Sequence, residues 1–241
     1  MLGYDKITPR GILPYALIIR PLITAFHFMI PNSLKNKFTF SINLSALALL
    51  GALLIGPNAQ AKHLLIFGDS LSAAYGMELD QGWAHLLSNS LAKEHTVTNA
   101  SISGETSGGG LARFELTINE FKPDLILLEL GANDGLQGLS INALRDNLSK
   151  MIEIGRNSGA QVIIAGISLP ASYGPRYIDM FRATFKNLAS KYELPFIDFY
   201  REEFFTQPGY IQADGLHPTV ITQTLIRDLV LEFLNNHKLL D

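Results

Sequence analysis

Three short segments hold the residues with chemistry to offer: Gly68-Asp69-Ser70-Leu71, Gly131-Ala132-Asn133-Asp134 and Asp214-Gly215-Leu216-His217-Pro218. A serine hydroxyl becomes a nucleophile when a neighbouring base takes its proton, and Ser70 and His217 are the types such a pair requires. Asp214, three residues before His217, can fix the imidazole tautomer and stabilise the imidazolium. Asn133 carries an uncharged N–H donor suited to a developing oxyanion, which the Asp134 carboxylate would repel. The set amounts to the equipment for acyl transfer. Each segment alone has a plainer reading, as a capped helix start or a polar turn, and Ser72 is a rival hydroxyl one step deeper into the first turn.

A fourth stretch, Asn99 to Gly110, is too rich in glycine to be a packed element and is expected to be a loop. Its Gly104 lacks a Cβ, so its backbone N–H can come close to a substrate oxygen. A phosphate loop is excluded, since no Gly-Lys-Ser/Thr follows the glycines, and the dinucleotide spacing is absent.

The elements that must position these residues alternate regularly. Short apolar runs at His63 to Phe67, Thr96 to Ala100, Leu125 to Leu130, Gln161 to Ile167 and Pro195 to Phe199 read as strands. Helical patterns lie between and after them, at Trp83 to Lys93, Leu111 to Phe121, Ser140 to Arg156, Arg176 to Tyr192 and Thr219 to His237. Leu144, Leu148, Met151 and Ile152 recur at helical spacing. Strands separated by helices predict right-handed crossovers and a parallel sheet covered on both faces, an α/β three-layer sandwich. Ser70 and Asn133 then follow strands, and Ser70 is expected at a helix start where backbone N–H groups converge. The loop Leu169 to Arg176 leaves the fourth strand on the same sheet edge. Its Leu169, Pro170 and Tyr173 are the predicted substrate-binding side chains, with Gly135 to Leu139 as the alternative acyl site.

Of the 241 residues, the first 61 stand apart. Lys35 and Lys37 precede an apolar run from Ile42 to Ile55, and Ala59-Gln60-Ala61 follows. This order reads as a secretory signal peptide cleaved after Ala61, because the run is shorter than the ~20 residues a membrane span needs. A start at Met29 would give that peptide a more usual shape. Residues 62–241 then form one domain with no repeat or linker. Residues 1–61 hold five of the 19 Lys and Arg but one of the 22 Asp and Glu, so the remainder has 14 basic against 21 acidic residues, a net charge of −7. An acidic domain without a basic run is a poor partner for nucleic acid. With no cysteine, disulfides, thiolate metal sites and a cysteine nucleophile are excluded.

Gly68-Asp69-Ser70-Leu71, Gly104, Gly131-x-Asn133-Asp134 and Asp214-x-x-His217 resemble the four sequence blocks of the GDSL or SGNH hydrolases. Asn99 to Ser107, Glu129 to Gly138 and Leu169 to Gly174 are similar to the thioesterase I, lysophospholipase L1 and arylesterase subfamily. The resemblance implies a flavodoxin-like sheet of order 2-1-3-4-5, a Ser70-Asp214-His217 triad, and an oxyanion hole from the N–H groups of Ser70 and Gly104 with Asn133. It implies an esterase and thioesterase acting on acyl esters, thioesters or lysophospholipids through an acyl-enzyme on Ser70, with no metal or cofactor. The protein is expected in the periplasm or outside the cell, as a monomer with no stable membrane anchor after processing. Glu105 departs from the subfamily's aspartate, and Glu129, a carboxylate in an apolar strand, has no evident role. The alternatives are an O-acetyl esterase of polysaccharide or cell wall and a non-catalytic flavodoxin-like binding module.

Overall fold

A computed structural model describes residues 60–241 apart from Tyr200, Glu202, Glu203 and Phe205. The segment read as a signal peptide, and with it most of the first expected domain, lies outside the described residues. Among those described, no helix is long and apolar enough to cross a membrane.

Five strands, β1 (His63–Gly68), β2 (Thr96–Asn99), β3 (Leu125–Glu129), β4 (Gln161–Gly166) and β5 (Phe196–Asp198), pair in parallel in the order β2-β1-β3-β4-β5. The connections are α1 (Trp83–Leu91), α2 (Ser107–Phe121), a short α3 (Ala132–Leu136), α4 (Ile141–Asn157) and α5 (Pro175–Tyr192), and α6 (Val220–Asn236) closes the fold. Helices α2, α4 and α5 pack side by side, and α1 packs against α6. Covered on both faces, the central strands can be apolar throughout: every residue of β3 is buried, Glu129 included.

The strand order reverses between β1 and β3, whose carboxyl ends lie in register with Gly68 opposite Glu129. Crossovers leave these two strands toward different sides, and the crevice left between them is where open α/β sheets bind ligands. The α/β sandwich and strand order therefore match expectation.

Three local expectations are corrected. Ser107 to Gly110 is not loop but the first turn of α2, capped by Thr106 Oγ1, which accepts from Gly109 N (3.3 Å). Close packing overrides glycine's poor helix propensity there, since a Cβ on Gly110 would stand 2.4 Å from Leu130 Cδ2. Gly131 to Gly135 is not an open polar turn, because Ala132 to Leu136 forms α3. After β1 no helix forms: Ala73 N donates to Asp69 O (3.0 Å), completing one turn, and Ala74 then adopts a left-handed φ of 55° that stops it. The last residues also pack onto the domain, since Leu239 N donates to Leu234 O (3.0 Å) and both Leu239 and Leu240 are buried.

Candidate active site

The single turn after β1 presents Ser70, and the loop before α6 brings His217 to it. Ser70 Oγ lies 2.8 Å from His217 Nε2, and His217 Nδ1 lies 2.7 Å from Asp214 Oδ2. The loop is built for this. Ile211 bridges Pro218, Gln212 N donates to His217 O (2.8 Å), and Asp214 Oδ1 accepts from the N–H groups of Leu216 (2.9 Å) and His217 (3.0 Å). Burial raises the Asp214 carboxyl, but the bonds from the His217 ring and from these two N–H groups outweigh it and hold the pKa below its ordinary value. Asp214 stays ionised and faces His217 at neutral pH.

Ser72, the rival hydroxyl, is 1% exposed and donates to Glu129 Oε2 at 2.7 Å. That bond explains the carboxylate in an apolar strand, although Glu129 Oε1 is buried without a partner. Asp69 is buried beside it, accepting from Leu71 N (3.1 Å) through Oδ1 and from Asn133 Nδ2 (3.2 Å) through Oδ2. Burial pushes both acids up: Asp69 to about 7, against the bonds from Leu71 and Asn133, and Glu129 well above its ordinary value, with the charge of Asp69 adding to the effect.

The other candidate N–H donors come from α3, which carries Asn133, and from the β2–α2 loop, which carries Gly104. Asn133 Nδ2 donates to Asp69 and to Glu105 O (3.0 Å), so both its hydrogens are engaged at rest. Among the described residues, no acceptor takes the backbone N–H of Ser70 or of Gly104. Gly104 has φ 80° and nothing within 4 Å of where a Cβ would stand. Backbone conformation, rather than close approach, is thus what requires glycine there.

The loop bearing Gly104 is pinned after the glycine by two ties. Glu105 pairs with Arg113 through Nε (2.7 Å) and Nη2, and the guanidinium lies 4.0 Å from the centre of the Phe67 ring. Asp134 accepts from Ser107 N (2.7 Å) and Ser107 Oγ (2.5 Å), capping α2 from another segment. Neither tie was read from the sequence, where the carboxylates are visible but their partners are not.

Ser70 and His217 open on a narrow pocket of about 40 Å³ walled by Leu71, Leu136, Ile167, Phe199 and Phe204 among others. The predicted substrate-binding side chains Leu169, Pro170 and Tyr173 do not line it. Leu169 is buried against α3 at Gly135, Tyr173 donates its hydroxyl to Leu136 O (2.9 Å), and Pro170 introduces the short turn Ala171–Tyr173. Past the end of β4 it is Ile167 and Ser168 that face the pocket, and the chain then turns to clamp α3. Of the alternative stretch Gly135 to Leu139, Leu136 reaches it.

Comparison with known proteins bears on this arrangement. A model of the GDSL-like Lipase/Acylhydrolase family matches residues 66–224. The chain is 44% identical over 177 residues to Esterase TesA of Pseudomonas aeruginosa, covering 72% of this chain and 88% of that protein. It is 38% identical over 182 residues to Thioesterase 1/protease 1/lysophospholipase L1 of Escherichia coli K12, covering 74% and 88%. Among solved structures, the psychrotrophic esterase EstA from Pseudoalteromonas sp., inhibited by monoethylphosphonate, superposes with a TM-score of 0.70 at 35% identity, over 73% of this chain and 97% of that one. Sequence blocks, sheet order and similarity over most of the length of these relatives agree: the chain belongs to the GDSL-like lipase/acylhydrolase family.

Proposed function

We propose that this protein is a serine hydrolase of acyl esters and thioesters working through an acyl-enzyme on Ser70. The observation that carries the reading is the unbroken chain from Ser70 Oγ through His217 to Asp214, at 2.8 and 2.7 Å, opening on an apolar pocket. His217 takes the serine proton as Oγ attacks the acyl carbon, and Asp214 stabilises the imidazolium. The oxyanion forms beside the uncommitted N–H groups of Ser70 and Gly104, and Asn133 joins by exchanging its 3.2 Å bond to Asp69 for one to the substrate oxygen. His217 then protonates the departing alkoxide or thiolate. Water, deprotonated by the same imidazole, releases the acid.

Esters, thioesters and lysophospholipids are the substrate classes, in keeping with the relatives named esterase and thioesterase 1/lysophospholipase L1. The enzyme acts as an exported monomer, its signal peptide cleaved near Ala61, with no metal, cofactor or nucleic-acid partner. The apolar pocket walls suit an acyl group, and an O-acetyl esterase of polysaccharide or cell wall is the alternative reading of the same site.

Hydrolysis of p-nitrophenyl esters from acetate to palmitate, with an acyl thioester alongside, tests the reading. Turnover that Ser70→Ala abolishes without loss of the fold is expected. Turnover retained in that variant refutes it, and activity confined to acetate favours the O-acetyl esterase.

A further inference from the structure

His217 is held at both ring nitrogens, by Ser70 and Asp214, and one face of its ring is also covered. Tyr75, in the turn that carries Ser70, stacks on the imidazole with ring centres 4.1 Å apart and planes inclined by 29°. The two segments are joined a second time, since Gln212 Nε2 donates both to Tyr75 O (2.9 Å) and to Pro218 O (3.0 Å). Tyr75 is nevertheless 47% exposed, too much for a ring whose purpose is to fill a core.

The chemistry gives that ring a task. The Asp214 side chain is 39% exposed, so water weakens its hold on a charge at His217. An aromatic face attracts a cation lying over it, and imidazole becomes one each time it accepts the serine proton. Among the described residues, the titratable groups placed against the imidazole are Asp214, from its own loop, and Tyr75, from the turn after β1; Ser70 is a neutral neighbour.

We propose that Tyr75 is a positioning residue for His217, its ring holding the imidazole in the plane that serves both Ser70 and Asp214 and favouring the imidazolium over the neutral base. The proposal rests on the serine-hydrolase reading. It concerns how the base is held and charged, not which residue is the base.

The test is the pH dependence of kcat and kcat/KM on a p-nitrophenyl ester for the wild type, Tyr75→Phe, Tyr75→Leu and Tyr75→Ala, with thermal unfolding in parallel. The wild type should show an acid limb from His217, which must be neutral to act as base. Leucine keeps apolar bulk but lacks the π face, so both it and alanine should lower kcat roughly two- to fivefold and move the limb down by about half a pH unit, because the protonated form loses a partner. Phenylalanine should leave the limb in place. A limb unmoved in the leucine and alanine variants, a phenylalanine variant that shifts as far as alanine, or a loss confined to KM overturns the proposal. Absence of any acid limb in the wild type would overturn His217 as the base, and this proposal with it.

Discussion

Removing the Asp134 carboxylate should damage stability and turnover together, because it ties α3 to the start of α2. The first N–H groups of a helix have no partner within it, and Ser107, the first residue of α2, is fully buried. Its N–H and its hydroxyl both donate to Asp134, at 2.7 and 2.5 Å, and Asn147 Nδ2 donates to the same hydroxyl at 3.0 Å. Hydrogen bonds to a charged group are worth about 1.5–3 kcal/mol each, so Asp134→Ala should cost about 3–5 kcal/mol. At this chain length that lowers Tm by roughly 6–20 °C. Gly104 lies three residues before Ser107, so a loosened helix start also displaces its N–H, and loss of one oxyanion donor lowers kcat by about 10²–10³. Asp134→Asn can still accept from Ser107 N with its oxygen, but its nitrogen can only donate to Ser107 Oγ, so the charge is lost and the Ser107 hydroxyl hydrogen gives up its acceptor. This variant should lose about 1–2 kcal/mol and stay within about tenfold of wild-type kcat. Thermal unfolding followed by circular dichroism, with kcat on p-nitrophenyl butyrate, measures both. An alanine variant within about 1 kcal/mol of wild type and at full kcat would show that this cap does not hold the oxyanion loop.

Because burial pushes up both Asp69 and Glu129, with the charge of Asp134 adding to the effect at Asp69 and that of Asp69 at Glu129, the folded protein binds protons more tightly than the unfolded chain. The stability they contribute is complete below the ordinary carboxylate range and is lost as pH rises through the raised values. Glu129→Gln removes one of the two groups, so urea titrations should show the wild type losing more unfolding free energy than the variant from about pH 5 to 8, and equal losses would refute the upward push on Glu129. Ile167 borders the pocket, so Ile167→Ala should shift preference toward longer esters, each newly accommodated methylene adding at most about 0.8 kcal/mol of binding, whereas Tyr173→Ala should leave the chain-length profile unchanged. The opposite pattern would return the acyl site to the loop after β4. Both ring nitrogens of His217 are committed to Ser70 and Asp214, so activity should survive dialysis against EDTA; loss restored by zinc would contradict that use of the imidazole.

The sheet was legible because alternation of apolar runs with amphipathic stretches leaves few topologies open, and a parallel order with crossovers is one of them. Ser70, Asn133, Asp214 and His217 stood out for a different reason: hydroxyl, amide, carboxylate and imidazole occupied segments beside strand ends and a helix start, where packing alone does not demand them. What escaped was pairing. Nothing local to Tyr75 says that its ring lies on an imidazole 142 positions along, and nothing in Glu129 names Ser72 as its partner. Leu169 and Ile167 look alike as apolar residues at a strand end, yet only Ile167 lines the pocket, because side-chain direction past a strand depends on the path the loop takes. At Ser107 to Gly110 local propensity argued for loop and the close approach to Leu130 prevailed.

The central claim is that Ser70 is the residue acylated. Brief treatment with a fluorophosphonate, followed by proteolysis and peptide mass spectrometry, tests it without any assumption about the natural substrate. One adduct is expected, on the peptide holding Ser70, lost in Ser70→Ala and independent of the buried Ser72 hydroxyl. An adduct on Ser72 or on another residue, or labelling that persists in Ser70→Ala, would contradict the claim.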